Sequence, residues 1–347
     1  MAGPVVLRRT RFVCVSDTHN CPVKLPKGDV LVHAGDLTNQ GSYSELSKAV
    51  KWLEAADFEA KIVVAGNHDI TLDSAFYSQH GQAFHNKGLQ SHSHCLSLLT
   101  DSPSITYLCH SAATVRLSSP AGPRTGFTVF GSPYSPRCGL WAFGYDAPAP
   151  PCPAQPTPWD CIPLATHVVV THTPPRGHCD QGAGCEALSR ALERVRPRMA
   201  ICGHIHDGRG AQGIEWPLDT ASSSSPGPRD KCLLPWTDPG IGNNKLSLVN
   251  LCNTRASATA TAGTDARALA HDDAGAVCGP DDDLGLMQCH GKSPTAQLGR
   301  RQTWVINAAI IKSRYPHKGG KQFYKPMVVD VDLPVWAEGG ESGMTRL

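Results

Sequence analysis

The chain has 347 residues, 40% of them hydrophobic and 18% charged. That is enough apolar material to bury one substantial core or two small ones, which excludes a wholly disordered or fibrous chain. Lys and Arg number 32 against 30 Asp and Glu, a net charge of +2, so no overall field draws the protein toward nucleic acid or an anionic membrane.

Residues 12–16, 29–34 and 61–65 are short, nearly continuous apolar runs, the pattern of strands covered on both faces. Between the second and third, Leu46, Ala49, Val50, Leu53 and Ala56 recur at helical spacing. Ser42, with Glu45 three residues later, has the form of a capping box at the start of that helix. Residues 112–117 and 127–130 flank Pro120, Gly122, Pro123 and Gly126, which predicts a hairpin with a loose loop. The proline-rich stretch 147–158 predicts an extended surface loop. Residues 167–170 and 199–202 again read as buried strands, with a helix between them carrying Leu188, Ala191, Leu192 and Val195 and closed by Pro197.

From 210 to about 301 the texture turns to Ser, Thr, Ala, Gly and Asp, most strongly at 220–230 and 254–283. Such a composition does not offset its ordering entropy by burial, so a partly disordered insertion is expected, with strand character only at 246–251. Order is expected to return at 303–311 and 327–333. The predicted organisation is a tail (1–10), a main domain (11–209), a low-complexity insertion (210–302), strands completing the domain (303–335) and a second tail (336–347). Alternating strands and helices imply a layered α/β or α+β domain but do not distinguish one sheet from two.

No run of about 18 apolar residues marks a membrane-spanning helix. Residues 1–11 carry arginines but no signal-peptide core. The 14 cysteines are scattered without a Cys-x-x-Cys pair, and Cys14 and Cys202 lie inside apolar runs, so reduced thiols in a cytoplasmic protein are the expectation.

Five short motifs stand just past predicted strands, where open α/β sheets place their sites. They are Asp17-Thr18-His19, Gly35-Asp36, Gly66-Asn67-His68-Asp69, Thr171-His172 and Gly203-His204-Ile205-His206. Singly, each is what a turn or a hydrogen-bonded histidine would supply. Together, five strand ends that each present Asp, Asn or His are not explained by turn chemistry. His92 and His94 form a His-x-His pair that follows no predicted strand and reads as a surface feature, and His80, His85, His178 and His317 receive no role.

These motifs, in this order, resemble the signature of the calcineurin-like metallophosphoesterases: D-x-H, G-D, G-N-H-[DE], H and G-H-x-H. Residues 12–19, Gly131-Ser132-Pro133-Tyr134, Thr171-His172-Thr173-Pro174-Pro175 and Val195-Arg196-Pro197-Arg198 are similar to its metallophosphoesterase domain-containing branch. The resemblance covers about 11–208 and resumes at 305–333. It implies a four-layer α+β sandwich of two mixed β-sheets flanked by helices.

It also implies two divalent ions (Mn²⁺, Fe²⁺/Fe³⁺ or Zn²⁺), one held by Asp17, His19, Asp36 and His206, the other by Asp36, Asn67, His172 and His204. Asp36 would bridge them, because two ions roughly 3.5–4 Å apart need an anion between them. Mixed oxygen and imidazole donors suit these metals better than a thiolate-loving one. His68 is implied as the catalytic imidazole, with Asp69 holding its tautomer. Apart from the resemblance, Arg176, four residues after His172, reads as a solvated loop residue, with contact to substrate phosphate through its planar fork as the alternative.

Protein phosphatases of this superfamily continue the second motif as Gly-Asp-x-x-Asp-Arg-Gly, whereas Leu37, Thr38, Asn39, Gln40 and Gly41 follow Asp36 here, and position 69 is Asp. The resulting expectation is a phosphodiesterase that cleaves a small phosphodiester or cyclic nucleotide by attack of a hydroxide held between the ions. The alternatives are a nucleotide-binding protein with little turnover and a nuclease. The ligand set carries His at both 204 and 206, which speaks for turnover, and no basic, aromatic-interleaved stretch speaks for a polymeric substrate. Oligomeric state is not legible.

Overall fold

The computed structural model describes residues 5–147, 156–217, 232–252, 300–314 and 316–336. In chain order its strands and α-helices are β1 (Leu7–Val15), β2 (Val30–Ala34), α1 (Tyr43–Glu54), β3 (Ala60–Val64), α2 (Ser74–Phe84) and α3 (His92–Thr100). Then come β4 (Thr106–Tyr107), β5 (Ser111–Arg116), β6 (Gly126–Ser132), β7 (Ser135–Pro136), β8 (Gly144–Tyr145), β9 (Val168–Thr171), α4 (Glu186–Val195) and β10 (Met199–Cys202). The last are β11 (Gly210–Glu215), β12 (Cys232–Pro235), β13 (Ser247–Asn250), β14 (Gln302–Asn307) and β15 (Met327–Pro334).

Two mixed sheets result, in the order β13-β15-β1-β2-β3-β4 and β12-β11-β14-β10-β9-β6-β5. In the first, β1, β2 and β3 run parallel and β15 pairs antiparallel to β1. In the second, β6, β9, β10 and β14 run parallel.

The continuous apolar runs arise because each strand supplies two cores at once, successive side chains pointing to opposite faces. Phe12, Cys14, Val32 and Ile62 meet Phe127, Val129, Val170 and Ile201 between the sheets. Val13, Val15, Leu31 and Val63 pack outward under Leu46 and Leu53 of α1, Tyr77 of α2 and Leu99 of α3. Val169, Ala200 and Val305 pack outward under Leu188, Leu192 and Val195 of α4. This is the four-layer sandwich of two mixed sheets flanked by helices, and the expected capping box of Ser42 and Glu45 starts α1.

The stretch expected as an insertion is partly built into the sheets. β11 pairs with β14 on one side and β12 on the other, and β13 pairs with β15. β11 escapes sequence reading because its six residues, Gly-Ala-Gln-Gly-Ile-Glu, include two glycines and only one large apolar side chain. The most biased stretches, 220–230 and 254–283, lie outside the described residues, as does most of the proline-rich loop at 147–158. β1 starts at Leu7, inside the stretch expected as a tail. Its first residues pair only with β15, so Arg8 and Arg9 stay exposed while the backbone is satisfied. Among the described residues, no helix is long and apolar enough to cross a membrane.

Candidate metal centre

The two sheets come together at the C-terminal ends of their parallel strands. Ser16 bridges to Ala309 beyond β14, and the His204 amide donates to both carboxylate oxygens of Asp17 at 3.1 and 3.0 Å. Asp17, His19, Asp36 and Asn67 follow β1, β2 and β3 of one sheet, whereas His172, His204 and His206 follow β9 and β10 of the other. The site therefore spans the seam of the sandwich.

Three groups of side chains lie close enough to share an ion: Asp17, His19 and His206; His19, Asp36 and His68; and Asp17, Asp36 and His172, with the donor atoms of each group within 4.8 Å of one another. His206 Nε2 lies 3.3 Å from Asp17 Oδ1. Asp36 stands between two imidazoles, with Oδ2 3.6 Å from His19 Nε2 and Oδ1 3.4 Å from His172 Nε2. Asn67 Oδ1 approaches His172 Nε2 at 3.0 Å, and the His204 ring lies 4.9 Å from that of His172, centroid to centroid.

The donor chemistry fits divalent cations. His19 Nδ1 meets the Thr38 carbonyl at 3.0 Å and His172 Nδ1 meets the Ala34 carbonyl at 2.9 Å. A carbonyl only accepts, so each Nδ1 carries hydrogen, and in the neutral ring Nε2 is left as a lone-pair donor aimed into the cluster, the arrangement usual for metal-bound histidines. The backbone is held away from its easy conformations here: φ is 57° at Asp17, 42° at His19, 54° at Asp36 and 66° at His204. Left-handed conformations at non-glycine residues cost of order 1 kcal/mol or more each and collect where geometry serves function.

Two motif glycines are required by close approach. A Cβ on Gly66 would lie 2.3 Å from Asp36 Oδ1, and one on Gly203 would lie 2.0 Å from Ser16 Oγ and 2.4 Å from Asp17 Oδ2.

Burial penalises the carboxylates of Asp17 and Asp36, but neighbouring imidazoles outweigh it. The hydrogen bond from His206 and the charges of His172 and His206 bring Asp17 down to about 2. His172, followed by its hydrogen bond and by His68 and His19, holds Asp36 well below the usual carboxylate range. Burial likewise opposes charge on His172, yet Asp36 and Asp17 push it up to about 9. His204 has no such direct partner, and burial with the neighbouring His172 lowers it to about 4. Asp17 and Asp36 are thus held as carboxylates by the positive charge of neighbouring imidazoles, a place that a bound cation would take over.

All seven expected ligands converge, and His68 stands beside them on the wall of a cavity of about 270 Å³ that also exposes Asp36, Asn67 and Trp141. The expected partnership of His68 with Asp69 is corrected by the structure. His68 Nδ1 meets the Asn39 carbonyl at 2.8 Å, while the Asp69 carboxylate accepts from the Gly66, Leu37 and Thr38 amides and from Thr38 Oγ1. Asp69 is a brace for the two ligand loops, fully buried beneath them. Arg176 is exposed and is not part of the cavity wall; its backbone pairs with Cys185 instead. His92 caps no metal cluster among the described residues and meets the Thr71 carbonyl at 2.7 Å from the first turn of α3.

Two contributors escaped sequence reading. Asn307, at the end of β14, donates through Nδ2 to the Ile205 and Cys179 carbonyls at 2.9 Å each, fixing the loop between His204 and His206. The sequence places Asn307 inside the apolar run 303–311, so it lacked the strand-end cue that marked Asn67. Trp141 lies in the short connection between β7 and β8 and had no motif around it.

Residues 10–208, more than half of the chain, match the family model described as calcineurin-like phosphoesterase. The chain belongs to the calcineurin-like phosphoesterase family. Members of this family are generally hydrolases of phosphoester bonds, typically with two metal ions. Similar proteins include human "Metallophosphoesterase domain-containing protein 1", 38% identical over 217 residues, which is 58% of this chain and 62% of the human one. "Probable rhamnogalacturonate lyase C" of Emericella nidulans is 40% identical over 211 residues, 60% of this chain and 18% of that protein. The Caenorhabditis elegans "UPF0046 protein K07C11.7" is 35% identical over 207 residues, 58% of this chain and 64% of the relative. The chain therefore spans less than two thirds of the length of these relatives.

Proposed function

We propose that the protein is a two-metal phosphodiesterase acting on a small phosphodiester or a cyclic nucleotide. The observation that carries this reading is the placement of Asp36, one carboxylate oxygen toward His19 and the other toward His172, which divides the ligands into two sets sharing one anion. Asp17, His19, Asp36 and His206 would hold one ion, and Asp36, Asn67, His172 and His204 the other. The donor set suits Mn²⁺, Fe or Zn²⁺. Bound there, such a pair supplies Lewis acidity toward a phosphoryl oxygen and a nucleophile usable at neutral pH.

The residues of this chain perform the remaining work. The His68 amide donates to Asp36 Oδ1 at 2.8 Å and fixes the bridging carboxylate. The His68 ring, with Nδ1–H tied to the Asn39 carbonyl, presents Nε2; in the imidazolium form, which carries hydrogen on both nitrogens, Nε2 gives its proton to the leaving oxygen and the ring is left neutral. A cavity of about 270 Å³ is at the small end of ligand sites, which run from about 300 Å³ upward, and suits a small diester. The absence of an Asp-Arg-Gly continuation after Asp36 speaks against a phosphoprotein substrate, and the protein is proposed to act in the cytoplasm.

The test is hydrolysis of bis(p-nitrophenyl) phosphate against p-nitrophenyl phosphate by chelated protein, with Mn²⁺, Zn²⁺ or Mg²⁺ returned and bound metal counted. Preferential, metal-restored diester cleavage with two ions per chain is expected. Two bound ions without cleavage of either ester, together with tight binding of nucleoside monophosphates, would replace this reading with a nucleotide-binding one.

A further inference from the structure

Trp141 packs its indole against His68. Its ring lies over the imidazole with centroids 4.1 Å apart and planes at 36°, while the edge of His19 closes a second side at 4.7 Å and 88°. Behind it, Phe84 of α2 supports the indole at 5.6 Å.

The segment that carries Trp141 is pinned on both flanks. β7 and β8 pair with each other, Ser135 N donates to the Phe143 carbonyl at 3.1 Å and Arg137 N to the Tyr145 carbonyl at 2.8 Å. Phe143 N donates to Asp73 Oδ2 at 2.7 Å, the same carboxylate group whose other oxygen caps α2 through the Phe76 amide at 2.9 Å. Ala142 and Phe143, immediately after Trp141, are buried in the outer core of the first sheet. The indole therefore stands on a rigid base beside the cavity rather than on a free loop.

We propose that Trp141 is a positioning residue for His68. The hydrogen bond from Nδ1 to Asn39 fixes one point of the imidazole and leaves the ring free to swing about it; an aromatic face at van der Waals distance sets the plane, and with it the direction of Nε2. This inference rests on the reading of His68 as the proton donor. Misplacing a reacting group by about 1 Å costs on the order of a hundredfold in rate, so partial loss of the plane should be visible in turnover without removing any metal ligand.

The experiment combines kinetics with a readout that needs neither metal nor substrate. W141A is expected to lower kcat for the diester about ten- to a hundredfold, with KM changed less and two ions still bound, and W141F is expected to recover most of the rate. In an H68A background, W141A should cost nothing further, because the group it orients is gone. In metal-free protein with labelled histidine, the His68 ring resonances should lose their upfield ring-current displacement in W141A and keep part of it in W141F. Should W141A not fold, W141L, which retains bulk without an aromatic face, carries the same comparisons.

Equal losses from W141A in the wild-type and H68A backgrounds would overturn the proposal, as would unmoved His68 resonances. If H68A alone leaves kcat unchanged, the reading of His68 as proton donor fails, whereas the resonance shift still decides whether Trp141 sets its ring.

Discussion

Asp69 turns its carboxylate away from its chain neighbour His68 and toward Thr38, accepting from the amide of that residue at 3.0 Å and from its hydroxyl at 2.7 Å. The same carboxylate takes the Gly66 and Leu37 amides at 2.9 and 3.2 Å, so one buried side chain ties the loop after β2 to the loop after β3. Asp69→Ala leaves these buried donors without an acceptor, at about 1–3 kcal/mol for each that water does not reach. A loss of about 3 kcal/mol in urea unfolding is expected. Wild-type stability in this variant would remove the bracing role.

Asp36→Asn replaces one of two anionic oxygens with an amide nitrogen that repels a cation. Removing groups that merely orient metal ligands costs about 10–100-fold in affinity, so loss of the shared ligand is expected to weaken binding at least about a hundredfold and to abolish turnover. Metal counting after dialysis, read beside the rate, checks this. Two ions retained at wild-type rate would show that Asp36 is not shared.

Gly203→Ala places a methyl 2.0 Å from Ser16 Oγ and 2.4 Å from Asp17 Oδ2. Ser16 has little room to yield, because its hydroxyl donates to the Ala34 carbonyl at 2.9 Å inside the seam. Overpacking of this kind costs about 1–3 kcal/mol, and displacement of Asp17 adds weaker metal binding. Thermal melts with and without added Mn²⁺ are expected to show a lower Tm and a smaller metal-induced rise. An unchanged rise would mean that Asp17 stays in place.

Asp180 is buried in the loop after His172 and accepts from the Gly177 and Gly184 amides at 3.0 and 2.9 Å. Burial alone would raise its carboxyl, but the amides of Gly177, Gly184 and Gly182 hold it below the usual carboxylate range. A depressed folded-state value stabilises the fold above the unfolded value near 4, and that contribution is lost as pH falls through the folded one. Asp180→Asn is therefore expected to be less stable than wild type at pH 7, with the gap closing as pH falls below about 4. A gap independent of pH, measured by denaturant unfolding, would assign the loss to packing instead.

Strands with alternating cores were readable because both faces of β1, β2, β3, β9 and β10 are buried, which leaves uninterrupted apolar letters. The ligands were readable for a related reason: each follows such a strand directly. α2 and α3 were not, because Ser-Ala-Phe-Tyr-Ser-Gln-His-Gly-Gln-Ala-Phe and His-Ser-His-Cys-Leu-Ser-Leu-Leu-Thr bury only a few residues each and carry serines and histidines where a helix face would show apolar spacing. The pairing of His68 with Asp69 failed because residues adjacent in a turn send their side chains in different directions. Arg176 and Asn307 mark the remaining gap, since distance along the chain says nothing about which side chains meet where two sheets come together.

The ligands divide between sheets whose assembly depends on distant sequence. β15, near position 330, lies between β13 and β1, and Asn307 props the loop that holds His204 and His206. A chain emerging from the ribosome carries all seven ligands once residue 206 has been made, yet the seam that gathers them closes only about a hundred residues later. Ion binding at the proposed site is therefore expected to await the finished sandwich, in which β15 and Asn307 are in place.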